Sequence, residues 1–152
     1  MGIYGRLETG GRAGTGGRPR PYVRPSALLR RVFNPIAIAV GRKPVLVVRG
    51  RRTGKSLQVP MDPPFEWHGT RYLVSPRGET HWVRNLRAAG EADLRTRRRL
   101  EHIHVVELDG TERDAVVKTY ADTITCNCRR SMEMLPDPAD HPVFRIQPPA
   151  PR

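Results

Sequence analysis

The chain has 152 residues, a length that fits one domain with a buried core. Its formal net charge is +12, and all but three of its 27 cationic side chains are arginine; such a balance suits an anionic partner, whether nucleic acid, a membrane surface or a polyanionic small molecule. Two closely spaced cysteines, Cys126 and Cys128, exclude a disulfide framework. No apolar run approaches the ~20 residues of a bilayer span, and the N-terminus has no signal-peptide core. A cytoplasmic setting is expected, with contact at a membrane surface left open by the charge.

Residues 1–25 are rich in Gly, Arg and Pro with Glu8 the one acid, which reads as a disordered basic tail. Residues 26–147 form the expected domain, and 148–152 a flexible C-terminus. Ser26 can cap a helix to about Val40, kinked by Pro35. Val45 to Arg49 and Leu57 to Pro60 read as two strands around a basic glycine loop. Phe65 to Trp67 and Arg71 to Ser75 form the next hairpin, turned at His68-Gly69-Thr70. Ser75 to Gly78 is a second loop carrying a cation and a glycine. Thr80 caps a short helix, His81 to Ala89, which Gly90 closes. Ala92 to Thr96 and His102 to Leu108 are further strands, joined through Arg97-Arg98-Arg99. Asp109-Gly110-Thr111 turns into a helix from Glu112 to about Ile124, with a last helical turn at Arg129 to Leu135. Val143 to Ile146 is a closing strand. Hairpins outnumber strand–helix–strand units, so the expected class is α+β or mainly β: a small closed or half-closed barrel flanked by helices.

The chemistry is sparse. Gly50-Arg51-Arg52-Thr53-Gly54-Lys55-Ser56 falls one spacer short of a Walker A loop. Val59, Pro60, Pro63 and Pro64 then demand extended chain where a nucleotide hydrolase needs a helix. An anion-binding hairpin loop survives that objection. His102 and His104 share one face of a strand, but no zinc-finger spacing accompanies them or the cysteines, so no metal is expected. No serine triad or paired-carboxylate pattern is legible. Trp82 and Asn85 share a helix face, where an indole and an amide can border a planar ring or simply serve the core. The Arg95 to Arg99 cluster raises a nucleic-acid-binding module as a rival, but no aromatics that stack bases interleave it, and no specific nucleic acid is expected.

Three segments in register resemble the deazaflavin-dependent nitroreductase family, in its short branch. They are Gly50-Arg-Arg-Thr-Gly-Lys55 with Val59-Pro-Met61, then Tyr72-Leu-Val-Ser75 through Gly78 to Trp82-x-x-Asn85-Leu86, and His141-Pro-Val-Phe-Arg-Ile146. The resemblance runs from about Val32 to Ile146. It implies a split β-barrel, the deazaflavin coenzyme F420 as a bound hydride carrier (FMN being the alternative), and an oxidoreductase passing hydride to a quinone, nitroaromatic or enone acceptor. By position it assigns the cofactor phosphate to Arg51, Arg52, Thr53 and Gly54, with Arg77 and Gly78 closing over it. Pro60 and Met61 would lie near the ring, and Trp82 and Asn85 would border the ring or substrate. Tyr120 matches a substrate-side tyrosine and is the catalytic candidate, the proton for the reduced acceptor coming from it or from water. The chain departs from the family at Leu57, where an arginine is common, which leaves that contact to Lys55. Later substrate-side tyrosines would fall near Thr123 and Cys126, so the substrate need not be shared. A non-catalytic carrier of the same fold stays open, and pairing of split barrels makes a homodimer an expectation.

Overall fold

The computed structural model describes residues 21–22, 43–124 and 126–149. The helix expected from Ser26, and all of the N-terminal tail but Pro21 and Tyr22, lie outside these residues. Seven strands form one antiparallel sheet: β1 (Val45–Arg49), β2 (Ser56–Pro60), β3 (Phe65–Trp67), β4 (Thr70–Val74), β5 (Glu91–Arg95), β6 (Leu100–Glu107) and β7 (Val143–Ile146). Their spatial order is β2-β1-β5-β6-β7-β4-β3. Among the described residues three α-helices accompany them, α1 (His81–Ala89), α2 (Gly110–Thr123) and α3 (Cys126–Met134), with a short 3-10 helix at Pro138–Asp140. Among the described residues no helix is long and apolar enough to cross a membrane.

The sheet is split at β6. Residues Leu100 to His104 pair with β5, whereas Val105 to Glu107 pair with β7. The handover is marked on both sides of the strand, where Val105 N donates to Gly90 O at 2.9 Å and Gln147 N donates to His104 O at 2.9 Å. The result is a half-closed barrel, not a closed one.

Period-two alternation sorts the side chains onto two faces. Leu46, Val48, Leu73, Ala92, Leu94, Ile103, Val105, Phe144 and Ile146 point into the barrel and pack on Val83 and Leu86 of α1. On the other face of β4 and β7, Tyr72 and Val143 meet Val116, Val117 and Tyr120 of α2 and Met132 of α3. The β4–β7 portion is therefore buried on both sides, which is why Tyr72-Leu73 and Val143-Phe144 are continuous apolar pairs.

α1 begins as capping chemistry predicts. The Thr80 side chain accepts from Val83 N, and Gly90 ends the helix in the left-handed region at φ 70° with its N–H on Leu86 O. α2 starts two residues earlier than its sequence pattern suggests. Asp109 occupies its N-cap position with no side-chain cap bond.

Candidate functional site

The β1–β2 loop runs Gly50 to Lys55. It is closed by Gly50 N to Lys55 O and Gly54 N to Gly50 O, each 2.8 Å. Gly54 takes φ 70°, a conformation glycine adopts without strain. Thr53 Oγ1 accepts from Lys55 N at 3.3 Å, so this hydroxyl shapes the turn.

Arg51, Arg52 and Lys55 are exposed on this loop. Arg51 is anchored: its backbone N and its Nη1 donate to Asn85 Oδ1 at 3.2 and 2.8 Å. Asn85 is a buried residue of α1, and this amide oxygen fixes the loop against the helix. Its carbonyl is thereby committed to Arg51 rather than turned to a ring. Among the described residues none of the three cations meets a carboxylate, so the loop presents uncompensated positive charge.

β2 leaves the loop toward Pro60 and Met61, and Met61 N donates to Pro44 O at 3.0 Å. Val59, Met61 and Trp82 are half-buried against the barrel core. Trp82 tilts against Phe144, ring centroids 6.1 Å apart. Arg51, Asn85, Met61 and Trp82 are thus gathered by α1 and the first hairpin.

The second loop behaves differently. Ser75 Oγ donates to Gly78 O at 2.6 Å, and Gly78 pairs with Tyr22 across an isolated antiparallel bridge. Glu79 N donates to Pro21 O at 3.1 Å. A Cβ on Gly78 would lie 2.2 Å from Pro21 O, so this glycine makes room for an N-terminal segment. Pro21 and Tyr22 belong to the stretch expected as tail, yet they dock here.

Tyr120 lies on α2, buried, with Phe65 edge-to-face at 5.6 Å. Its hydroxyl lies beside Cys128 of α3, close enough for each group to influence the other's titration. Cys128 Sγ donates to Asp62 Oδ2 at 3.1 Å, and Lys43 Nζ donates to Asp62 Oδ1 at 3.0 Å. Burial, then the charges of Cys128 and Asp62, push the Tyr120 phenol far above its ordinary range. Burial and the Asp62 carboxylate push the Cys128 thiol up to about 11. Burial raises Asp62, but hydrogen bonds from Cys128 and Lys43, aided by the charges of Lys43 and Arg77, outweigh it and hold the carboxylate low. The group therefore rests as a protonated phenol, a protonated thiol and an ionised carboxylate. Asp62 directly follows Met61, so this chain of polar groups links Tyr120 to the exit of the first hairpin.

Sequence reasoning missed Asp62 and Cys128 as members of this group, and took Lys43 only as one of the cations near the first loop. Their contact spans 66 residues between Asp62 and Cys128, and no local pattern signals a separation of that size.

Neither a protein-family model nor a curated protein matches the sequence. Solved structures do. One, an F420-H2-dependent reductase, FDR-A, superposes with a TM-score of 0.52 at 20% identity, covering 68% of this chain and 92% of that one. The chain has the fold of that reductase. A second, described as a domain-swapped dimer, gives a TM-score of 0.51 at 19% identity over 68% of this chain and 78% of its own. A NimC/NimA family protein from Clostridium acetobutylicum gives 0.48 at 12% identity, over 74% and 78%. The split barrel expected from the sequence is thus the fold observed, with β6 as the strand common to both halves.

Proposed function

We propose that the chain is a deazaflavin-dependent oxidoreductase whose β1–β2 loop holds the phosphate part of coenzyme F420. The observation that carries this reading is the loop itself: Arg51, Arg52 and Lys55 exposed and without a carboxylate partner among the described residues, on a turn anchored to α1 through Asn85. Guanidinium groups suit phosphate oxygens, and a pre-anchored loop loses little freedom on binding. The fold shared with an F420-H2-dependent reductase supports the same cofactor class.

In this reading Arg52 and Lys55 make the direct ionic contacts, with Thr53 and Gly54 completing the turn and Arg77 approaching from the second loop. Arg51 contributes charge and keeps the loop in place. Pro60, Met61 and Trp82 form the wall against which the planar ring lies. Reduced F420 supplies a hydride when bound. The chain's part is to orient it toward a quinone, nitroaromatic or enone, which takes that hydride and a solvent-derived proton. In this reading Tyr120 lines the acceptor side and, kept protonated by burial, does not act as a base. Two chains pair in this reading, as in the neighbour described as a dimer.

Fluorescence titration of the purified chain with oxidised F420, and separately with FMN, tests this. Saturable binding of F420 is expected. No signal change at tens of micromolar, about the weak end of useful affinity, overturns the reading; preference for FMN moves it to the flavin alternative. Arg52→Ala is expected to weaken binding about tenfold, a loss typical of one charge-assisted contact, without changing the melting temperature. Arg51→Ala should weaken binding and also lower the melting temperature, because it releases the loop from Asn85. Anaerobic oxidation of the reduced cofactor by menadione or a nitroaromatic then separates an enzyme from a carrier.

A further inference from the structure

On the outer face of the split sheet, away from the barrel core, β5 and β6 place two carboxylates opposite two imidazoles. Glu91 pairs directly with His104 and Asp93 with His102 in the antiparallel register. Glu91 Oε2 lies 3.5 Å from His102 Nε2 and 3.7 Å from His104 Nδ1. The three ligand atoms of Glu91, His102 and His104 all fall within 4.8 Å of one another. The imidazoles stand edge to face at 85°, centroids 5.0 Å apart, so their nitrogens converge without stacking.

We infer that Glu91, His102 and His104 form a site for a divalent late transition ion of the zinc class, with Asp93 orienting His102. Three further observations support it. With bonds of about 2.0–2.1 Å, neighbouring ligand atoms around tetrahedral zinc lie about 3.3 Å apart, so small side-chain rotations bring the two Glu91 separations into range. The Asp93 contact supplies what a metal-bound histidine needs on its far side. Asp93 Oδ1 is 2.7 Å from His102 Nδ1, which fixes the tautomer carrying a proton there and leaves Nε2 toward Glu91. Finally, in a chain of net charge +12 neither Glu91 nor Asp93 is paired with an arginine or lysine among the described residues; their partners are the two histidines. A divalent cation neutralises that pair of carboxylates.

Two imidazoles and a carboxylate match zinc, nickel or copper better than magnesium or calcium, which favour oxygen ligands. Three protein ligands leave a position open to water. The location gives the ion a consequence. Glu91–His104 is the last β5–β6 pair before β6 crosses to β7, and Gly90, just before Glu91, ends α1. An ion here clamps the strand where the sheet divides. It is independent of the cofactor loop.

The test uses the untagged full-length chain, stripped with chelator and titrated with zinc chloride by calorimetry at mildly alkaline pH, since metal binding competes with protons. Cobalt(II) absorption reports the ligand set. One equivalent per chain is expected, with a dissociation constant of about 1 µM or tighter, and the melting temperature should rise with excess zinc. His104→Ala and Glu91→Gln should each weaken binding at least about tenfold, and Asp93→Asn about tenfold, the usual range for an orienting partner. His81→Ala, an exposed histidine at the start of α1, should change nothing. Glu91, His104 and His81 are exposed and Asp93 is half-buried, so the metal-free Glu91, His104 and His81 variants should melt like the parent. No saturable binding below about 100 µM overturns the inference, as does binding that survives both His104→Ala and Glu91→Gln, or that His81→Ala also removes.

Discussion

Two glycines with the same backbone sign do different work. Gly54 at φ 70° has nothing within 4 Å of a built Cβ, so only the left-handed conformation constrains it. Gly78 at φ 79° combines that conformation with backbone on two sides, Pro21 O at 2.2 Å and Asp140 O at 3.2 Å. Backbone cannot step aside as a flexible side chain can. Gly54→Ala should therefore cost about 1 kcal/mol, the ordinary charge for a left-handed alanine. Gly78→Ala should cost more, about 2–4 kcal/mol, or expel the Pro21–Tyr22 segment. Denaturant unfolding of both variants, with limited proteolysis near Tyr22, distinguishes these outcomes. Equal destabilisation would mean that the docked segment contributes nothing.

At the scale of elements, α1 organises the site side of the molecule. Its inner face, Val83 and Leu86, enters the barrel core, Asn85 holds the cationic loop, and Arg87 reaches to a different edge. Arg87 donates from Nη1 and Nη2 to Glu79, and from Nε and Nη2 to Glu107 of β6. Glu79 is a buried carboxylate, so these charge-assisted bonds offset much of its desolvation. Arg87→Ala should destabilise the fold by about 2–3 kcal/mol, well beyond an exposed ion pair, and should loosen α1 from β6. Hydrogen exchange across residues 81–90 should rise more than across α2; a uniform rise would refute a local clamp. α1 was legible in the sequence to the residue, because Thr80 and Gly90 are local capping signals. β1, β3 and β7 were equally legible from short apolar runs between turn residues. β6 was not: its start at Leu100, two residues before the sequence pattern suggests, rests on pairing with Arg95. The fold's order could thus be read from neighbours in sequence. The site could be read only in part. The loop cations stand together in the chain, but Arg51–Asn85 and Asp62–Cys128 close over 34 and 66 residues. The Glu91–His104 pairing likewise needed the register of two strands, which His102 and His104 alone do not specify.

The whole molecule depends on its two half-sheets staying together, and β6 does not carry that alone. Arg71 of β4 and Glu101 of β6 both point to the barrel interior, since they alternate in phase with Leu73 and Ile103. They join across it in a bidentate pair, Nη2 to Oε1 at 2.6 Å and Nη1 to Oε2 at 3.0 Å. β4 belongs to the half built on β7, and Glu101 to the part of β6 that pairs with β5, so the pair bridges the split. The Arg71 hydrogen bonds hold the Glu101 carboxyl below its ordinary value, against a smaller opposing effect of burial. A depressed carboxylate contributes stability that is complete above its unfolded value, near pH 4.5, and is lost as pH falls through the folded value. Glu101→Gln removes that contribution. The pair is partly solvated, so about 1 kcal/mol is expected at neutral pH, or about 3 °C in melting temperature for a domain of this size. The gap between parent and variant should stay constant from neutral pH to about 5 and shrink below about 4, where the parent's carboxyl also becomes protonated. Thermal melts of both proteins across that range read it directly. A gap that persists unchanged into strong acid would show that the pair is not what ties the two halves together.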